Sequence, residues 1–495
     1  MTGVSVTAEW SGELAEEPAA PPAAALAAAG VALVAAATIP GQPVGLGVFL
    51  VVVGAAGAVA LSRPRELGAE AAVFGVLAVA LVSMSVLRSA EWLHAVDFLA
   101  AAGLGALAVT GGPTWAEIFR APIIVLSRVT VAFPFLVRTL GRGDRRLRRL
   151  LPALRGAALG AGLLAVFGTL FAAADGAFSK LVGELLVPDW DLSLLPARIL
   201  VFGIVLLGVA SLASAGTRYL RAGTGKTLDP TPRRGLGRTE WTVALGLLDL
   251  LFAAFVAVQI AVLFGGRGHV LDTAGLTYAE YAREGFFQLV AVVALTLAVV
   301  AGAVRWSRRQ QPADRRLLQV LLGLLCGLTL VVLVSALRRL LLYEETFGFT
   351  RLRVSVHAAI LWLAAMFILV MVAGALWNGR WLPRASVALS AVALLLFSVA
   401  NPDRMVAEQN VKRYRASGAI DLAYLARLSP DALPALSRLP GSLRACALAP
   451  HAGLRDSQDS LVGWNLARQR AREELRTTPG TSPCLLPSTL PGSWY

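Results

Sequence analysis

The sequence predicts an all-α fold: a polytopic transmembrane helical bundle of about 11 spans with a small helical C-terminal extramembrane domain. Three observations carry that expectation. Mean hydropathy is +0.68. Hydrophobic residues make up 57% of the 495 and charged ones only 15%, against about a quarter in a soluble globular chain. The apolar residues also fall in runs of about 20, the length that crosses a hydrocarbon core of roughly 30 Å as a helix. Together these exclude an ordinary soluble enzyme, a disordered chain and a collagen-like one.

The expected spans, in order, are Pro22–Ile39, Pro43–Leu61, Ala71–Leu87, Trp92–Val109, Ala153–Ala174 and Leu194–Gly216. They continue with Trp241–Phe264, Gly285–Trp306, Leu317–Leu337, Val354–Trp377 and Leu382–Ala400. The first is the weakest because it is mostly alanine. Trp92, Trp115, Trp190, Trp241, Trp306, Trp377 and Trp381 stand at or near run ends, where an amphipathic ring prefers the headgroup level. The segment 115–140 is apolar but interrupted by Arg120, Arg128, Pro134 and Arg138, so it reads as a cytoplasmic interfacial helix pair. The organisation is then an acidic polar tail (1–21), a membrane domain (22–400, with a core at 241–400) and a helical domain (401–495).

Charge orients the bundle. The formal net charge is +14, nearly all of the basic residues are arginine, and most sit in short loops. That distribution fits orientation in a bilayer rather than nucleic-acid binding. The Arg138–Arg149 block and the loops around Arg218–Arg238 and Arg305–Arg316 fall on one side, with Arg63, Arg65, Arg380 and Arg384. Roughly 24 basic residues lie there against about 9 opposite, which makes that side cytoplasmic. The reading is a multi-pass protein of a bacterial inner membrane, N-terminus inside and C-terminus outside. The N-terminus lacks the positive stretch of a secretory signal, so no cleavage is expected.

The tail carries its own punctuation. Asn401-Pro402-Asp403 is a helix start and Gly418 its stop; Ser429-Pro430-Asp431 repeats the start signal, and Asp459 to Arg476 reads as a further helix. Three cysteines are present, with no C-x-x-C and no histidine at ligand spacing, so no zinc site, other metal or cofactor is expected. With the tail outside, Cys446 and Cys484 are expected to form a disulfide.

Among candidate motifs, Gly223-Thr224-Gly225-Lys226-Thr227 resembles the end of a P-loop. The required earlier glycine is Leu220, and the segment follows a membrane helix, so it reads as a solvated basic loop. Gly156 and Gly160 read as helix packing. His94, Asp97 and His357 lie near outer helix ends and read as interface residues. Asp249 is the most informative residue: it lies about 12 Å into a span, where an aspartate is costly unless paired or hydrated. Two outer loops add Glu280, Arg283, Glu284 and Gln288, then Arg339, Glu345, Arg351 and Arg353, with Gln259 below them. Such a vestibule suits a polar or anionic headgroup, Arg binding it and Glu accepting a proton. The competing reading is a salt-bridge collar that fixes the loops.

The stretches YAEYAREGFFQL and YEETFGFTRLRV resemble the signatures of a bacterial family of polytopic membrane proteins known only as a domain of unknown function. Asn401-Pro402-Asp403, Asn410, Tyr414, Asp421 to Leu425 and Trp464-Asn465 to Arg468 are similar to that family's end. The resemblance runs from about Trp241 to the C-terminus and implies membership without a reaction. The leading expectation is therefore a non-enzymatic protein that transports or senses a small polar or lipid-linked envelope component. Its partners would be the bilayer and an envelope component or protein met by the tail. The alternatives are a transferase using a lipid-linked donor and a structural or regulatory membrane partner. Transferases of that kind usually place acidic residues in the first outer loop, here only Pro40-Gly41-Gln42.

Overall fold

The computed structural model describes residues 21–62, 68–112, 114–141, 194–221, 236–264, 286–307 and 311–477. The expected span 153–174, the acidic N-terminal tail, the Gly223–Thr227 loop, Gly156 with Gly160, and Cys484 lie outside them. The described residues are helical, with one isolated parallel bridge, Leu236 to Ser307, and no strand. By internal contacts the chain forms two units, 1–225 with 453–473, and 226–452 with 474–495.

The first unit contains α1 (Pro22–Thr38), α2 (Leu46–Leu61), α3 (Ala69–Leu87), α4 (Glu91–Thr110), α5 (Trp115–Ser127), α6 (Val129–Gly141) and α7 (Leu195–Arg221). The alanine content of α1 is a packing device. Ala24, Ala25, Ala28, Ala32, Ala35 and Ala36 are buried, and small side chains let backbones approach closely without hydrophobic drive between helices. Ala24 and Ala25 meet Ala210 and Ala213 of α7 and Ala132, Phe135 and Leu136 of α6. Segment 115–140 thus forms two helices, bent by 45° at their junction, with the second packed on the bundle. A Thr114–Glu117 capping box starts α5.

A strap from the tail completes this unit. Residues 459–465, expected as helix, are non-helical, and α17 (Leu466–Thr477) starts only after Asn465. The reason is that the strap's polar groups close two other helix ends. Leu46 N–H donates to Trp464 O (3.0 Å) and Gly47 N–H to Val462 O (2.6 Å), satisfying first-turn donors of α2. Asn465 Nδ2 donates to Ser85 O (2.8 Å) and to Arg88 O at the end of α3, while its Oδ1 caps α17 through Arg468 N–H. Arg468 reaches Val44 O (3.0 Å) and is paired with Asp459, as is Arg472.

The second unit contains α8 (Arg238–Phe264), α9 (Phe286–Trp306), α10 (Pro312–Phe347), α11 (Arg351–Ala375) and α12 (Leu382–Ala400). The tail helices α13 (Pro402–Ser417), α14 (Leu422–Leu425), α15 (Leu433–Leu436) and α16 (Gly441–Leu448) follow. As the sequence punctuation predicts, Asn401 caps α13 by accepting from Arg404 N–H, and Gly418 ends it in the left-handed region. The core lies between α8, α9, α10 and α11, with Trp241, Leu318, Leu325, Val332 and Phe367 almost fully buried.

Seven described helices are long and apolar enough to cross a membrane: α3, α4, α7, α8, α10, α11 and α12, with the bent α5–α6 pair an eighth if it forms one span. Helices α1 and α2 and the Ala291–Trp306 part of α9 are shorter apolar segments. Outward faces such as Leu247, Leu250 and Leu251 of α8, each more than 60% exposed, suit lipid rather than water. The chain is an all-α polytopic helical membrane protein.

Candidate functional site

The inner face of α8 repeats at helical spacing through Trp241, Leu245, Asp249, Phe252, Val256 and Gln259, five of them apart from Gln259 buried. This face runs parallel to α10 at an offset of roughly 76 residues. At one mouth Arg238 Nε lies 3.3 Å from Asp314 Oδ1. Midway, Asp249 and Cys326 lie within electrostatic reach of each other. Toward the other end, Gln259 Oε1 accepts from Ser335 Oγ (2.8 Å) and Arg339 (2.9 Å).

Asp249 is the outlier on this seam. It is 4% exposed, about 16 Å along α8 from Arg238, and neither carboxylate oxygen has a hydrogen-bond partner among the described residues. Its neighbour Leu250 is 67% exposed, so the register of α8 turns the acid inward and the leucine outward.

At the far end α10 continues as helix past Leu337, the expected end of the span, to Phe347, because no breaker occurs before Gly348. Gly348 has φ +80 and begins the elbow into α11. Glu344, fully buried, has an oxygen 3.3 Å from His357 Nδ1. That nitrogen is also 3.2 Å from Arg353 O, so it faces two acceptors, the carbonyl and the Glu344 carboxylate. Arg353 lies 4.4 Å over the Tyr343 ring and donates to Gly348 O.

The elbow is also where α13 and α14 dock. Arg351 Nε and Nη2 donate to the two oxygens of Asp403, both at 2.7 Å, and Ser429 N–H donates to Asp403 Oδ2 at 2.8 Å. Arg351 N–H donates to Tyr424 OH (2.7 Å). Asn410 Nδ2 donates to Phe349 O (2.8 Å), and its Oδ1 accepts from Phe349 N–H. Burial pushes the Asp403 carboxyl upward, but the Arg351 and Ser429 hydrogen bonds and the Arg351 charge outweigh it, holding the group below its ordinary range. Burial raises Tyr424 above the usual phenol value despite Arg351 nearby.

Of the residues singled out in the sequence, the structure joins Gln259 with Arg339, buries Asp249 without a hydrogen-bond partner among the described residues, and assigns Arg351 and Arg353 to the elbow. Glu280, Arg283 and Glu284 lie outside the described residues, as do the side chains of Gln288 and Glu345. Sequence reading missed Asp403, Asn410 and Tyr424 as the partners of the elbow, and Glu344 as a buried acid. Their only signal was a polar cluster within the family-like stretches. Cys446 is disulfide-bonded and Cys326 is a buried free thiol. No group of three potential metal ligands occurs among the described residues.

A family model described as Domain of unknown function (DUF4153) matches residues 71–439. No curated protein and no solved structure matches the chain.

Proposed function

The chain belongs to the family described as Domain of unknown function (DUF4153), and within it we propose a non-enzymatic protein of the bacterial plasma membrane that transports or senses a small polar or lipid-linked envelope component. The observation that carries this reading is Asp249. An ionisable side chain inside an apolar span is costly, and here it adds no hydrogen bond to the fold among the described residues. A residue that weakens packing without local compensation is better explained by function than by stability. The polar groups farther along the same seam, Gln259, Ser335 and Arg339, supply hydrogen-bonding capacity for a polar guest.

The tail end is read as the outer end. Within the first unit the strap meets the α1–α2 connection and the end of α3; within the second, α13 and α14 meet the α10–α11 elbow. All are connections that the arginine bias places outside. The opposite end of the second unit groups Arg238 with Asp314, Gln319 with Gly374, and Arg315 with Trp377. An outer tail also fits a Cys446–Cys484 disulfide, since Cys446 is disulfide-bonded.

The test compares envelope small molecules and lipid-linked intermediates in cells lacking the protein, complemented with wild type or with Asp249→Asn at equal membrane abundance. Wild type is expected to restore the profile and Asp249→Asn to leave it as in the deletion. Full restoration by Asp249→Asn would remove the coupling role.

A further inference from the structure

We propose that Asp249 is a reversible proton-binding site, so that the ion coupled to the function is H⁺ rather than a metal cation. As the identity of the coupling ion this rests on the reading above; as a proton site it stands on the geometry of the α8–α10 seam alone. Both oxygens of Asp249 are shielded from solvent and lack hydrogen-bond partners among the described residues. The seam around it is built from Leu245, Phe252, Leu322 and Leu325 of the apolar core.

Three chemistries can settle a buried carboxylate. A cationic side chain can neutralise it, a metal ion can be ligated by it, or a proton can bind it. On α10 the Cys326 thiol lies within electrostatic reach of Asp249, and it carries no positive charge. The nearest charged residues along α10, Arg316 and Arg338, are about 15 Å or more from Cys326 in helical rise. On α8 itself, Arg238 and Glu240 are at the mouth, and Arg305 of α9 is exposed. A hard cation needs about six oxygen ligands, and the described residues offer no group of three His, Cys, Asp or Glu side chains that could hold one. A proton needs one oxygen. The resting group is therefore the neutral carboxylic acid, and it becomes a carboxylate, releasing H⁺, when the seam admits water or a cationic guest. That makes proton release report opening of the seam, which is the property a coupled transporter or sensor requires.

The full-length protein in lipid nanodiscs is treated with a hydrophobic carbodiimide, which adds to protonated carboxyl groups, and the adduct is located by peptide mass spectrometry. Asp249 is expected to be modified at neutral pH. The rate should fall about tenfold per pH unit above the group's own pKa, with equal rates in sodium and choline chloride. Infrared difference spectra should show a protonated carboxyl band that persists in Asp249→Glu and vanishes in Asp249→Asn. Absence of both adduct and band across the pH range would overturn the proposal, as would protection by sodium. An Asp249 adduct together with full function of Asp249→Asn would sink the coupling reading and keep the proton site. Absence of both adduct and band with a defective Asp249→Asn would do the reverse.

Discussion

Replacing Arg351 with alanine should release the tail from the α10–α11 elbow. The guanidinium makes two 2.7 Å bonds to Asp403, whose side chain is fully buried, and truncation strips both from a carboxylate that keeps the Ser429 N–H bond. Removing one partner of a buried pair costs about 3–5 kcal/mol. The Arg351 side chain is 32% exposed, so water can partly replace it and the lower end, about 3 kcal/mol, applies. At about 1.4 kcal/mol per factor of ten, docking weakens roughly a hundredfold. Hydrogen exchange of the α13 amides in nanodiscs reads this directly, since local opening exposes that helix. Arg351→Lys should be intermediate, because an ammonium keeps the charge but loses the two-pronged geometry. A double-mutant cycle with Asp403→Asn should give a coupling of about 2 kcal/mol or more. Unchanged α13 protection in Arg351→Ala, or strictly additive single effects, would refute the reasoning.

Acid should act on the same latch. Asp403 titrates below its ordinary value of 3.8, so its contribution is fully present above about pH 4 and is lost as pH falls through the lower folded-state value. Proteolysis of the tail should rise in that window for wild type and be blunted in Asp403→Asn. Gly348→Ala should loosen the elbow by about 1 kcal/mol or more, because φ is +80 and a Cβ would stand 2.6 Å from Asn410 Oδ1; the thermal midpoint measures it. In the first unit, Asn465→Ala should cost about 2 kcal/mol by stranding two α3 carbonyls and uncapping α17. Gly45→Ala should match it, since a Cβ there would meet Trp464 O at 2.5 Å; exchange at the Leu46 and Gly47 amides reports both.

Much of the fold was legible because bilayer thickness fixes helix length and because apolar runs are unambiguous. The Asn401 cap and the Gly418 stop were legible because both are local chemistry. Asp249 stood out for the same reason: one acid in an apolar run needs no partner to be noticed. What sequence did not reveal is non-local. Arg351 looked like a ligand-binding arginine because its partner Asp403 lies 52 residues away. Residues 459–465 looked helical by composition, yet their carbonyls and Asn465 are committed to the ends of α2 and α3, roughly 380 to 420 residues distant. The end of α10 was misplaced because charged Arg338 and Arg339 stop a hydropathy run without stopping a helix.

The sidedness of the tail tests the outer-site reading most directly. Two single cysteines are introduced with Cys326 replaced by alanine: Ala416→Cys, exposed at the end of α13, and Gly379→Cys, exposed in the α11–α12 connection with open space around it. Intact cells are then treated with a membrane-impermeant maleimide. Labelling of Ala416→Cys without lysis, with Gly379→Cys labelled only after it, is the predicted result. The reverse pattern would place the tail, the elbow and the Gln259–Arg339 end of the seam in the cytoplasm and contradict the proposed function.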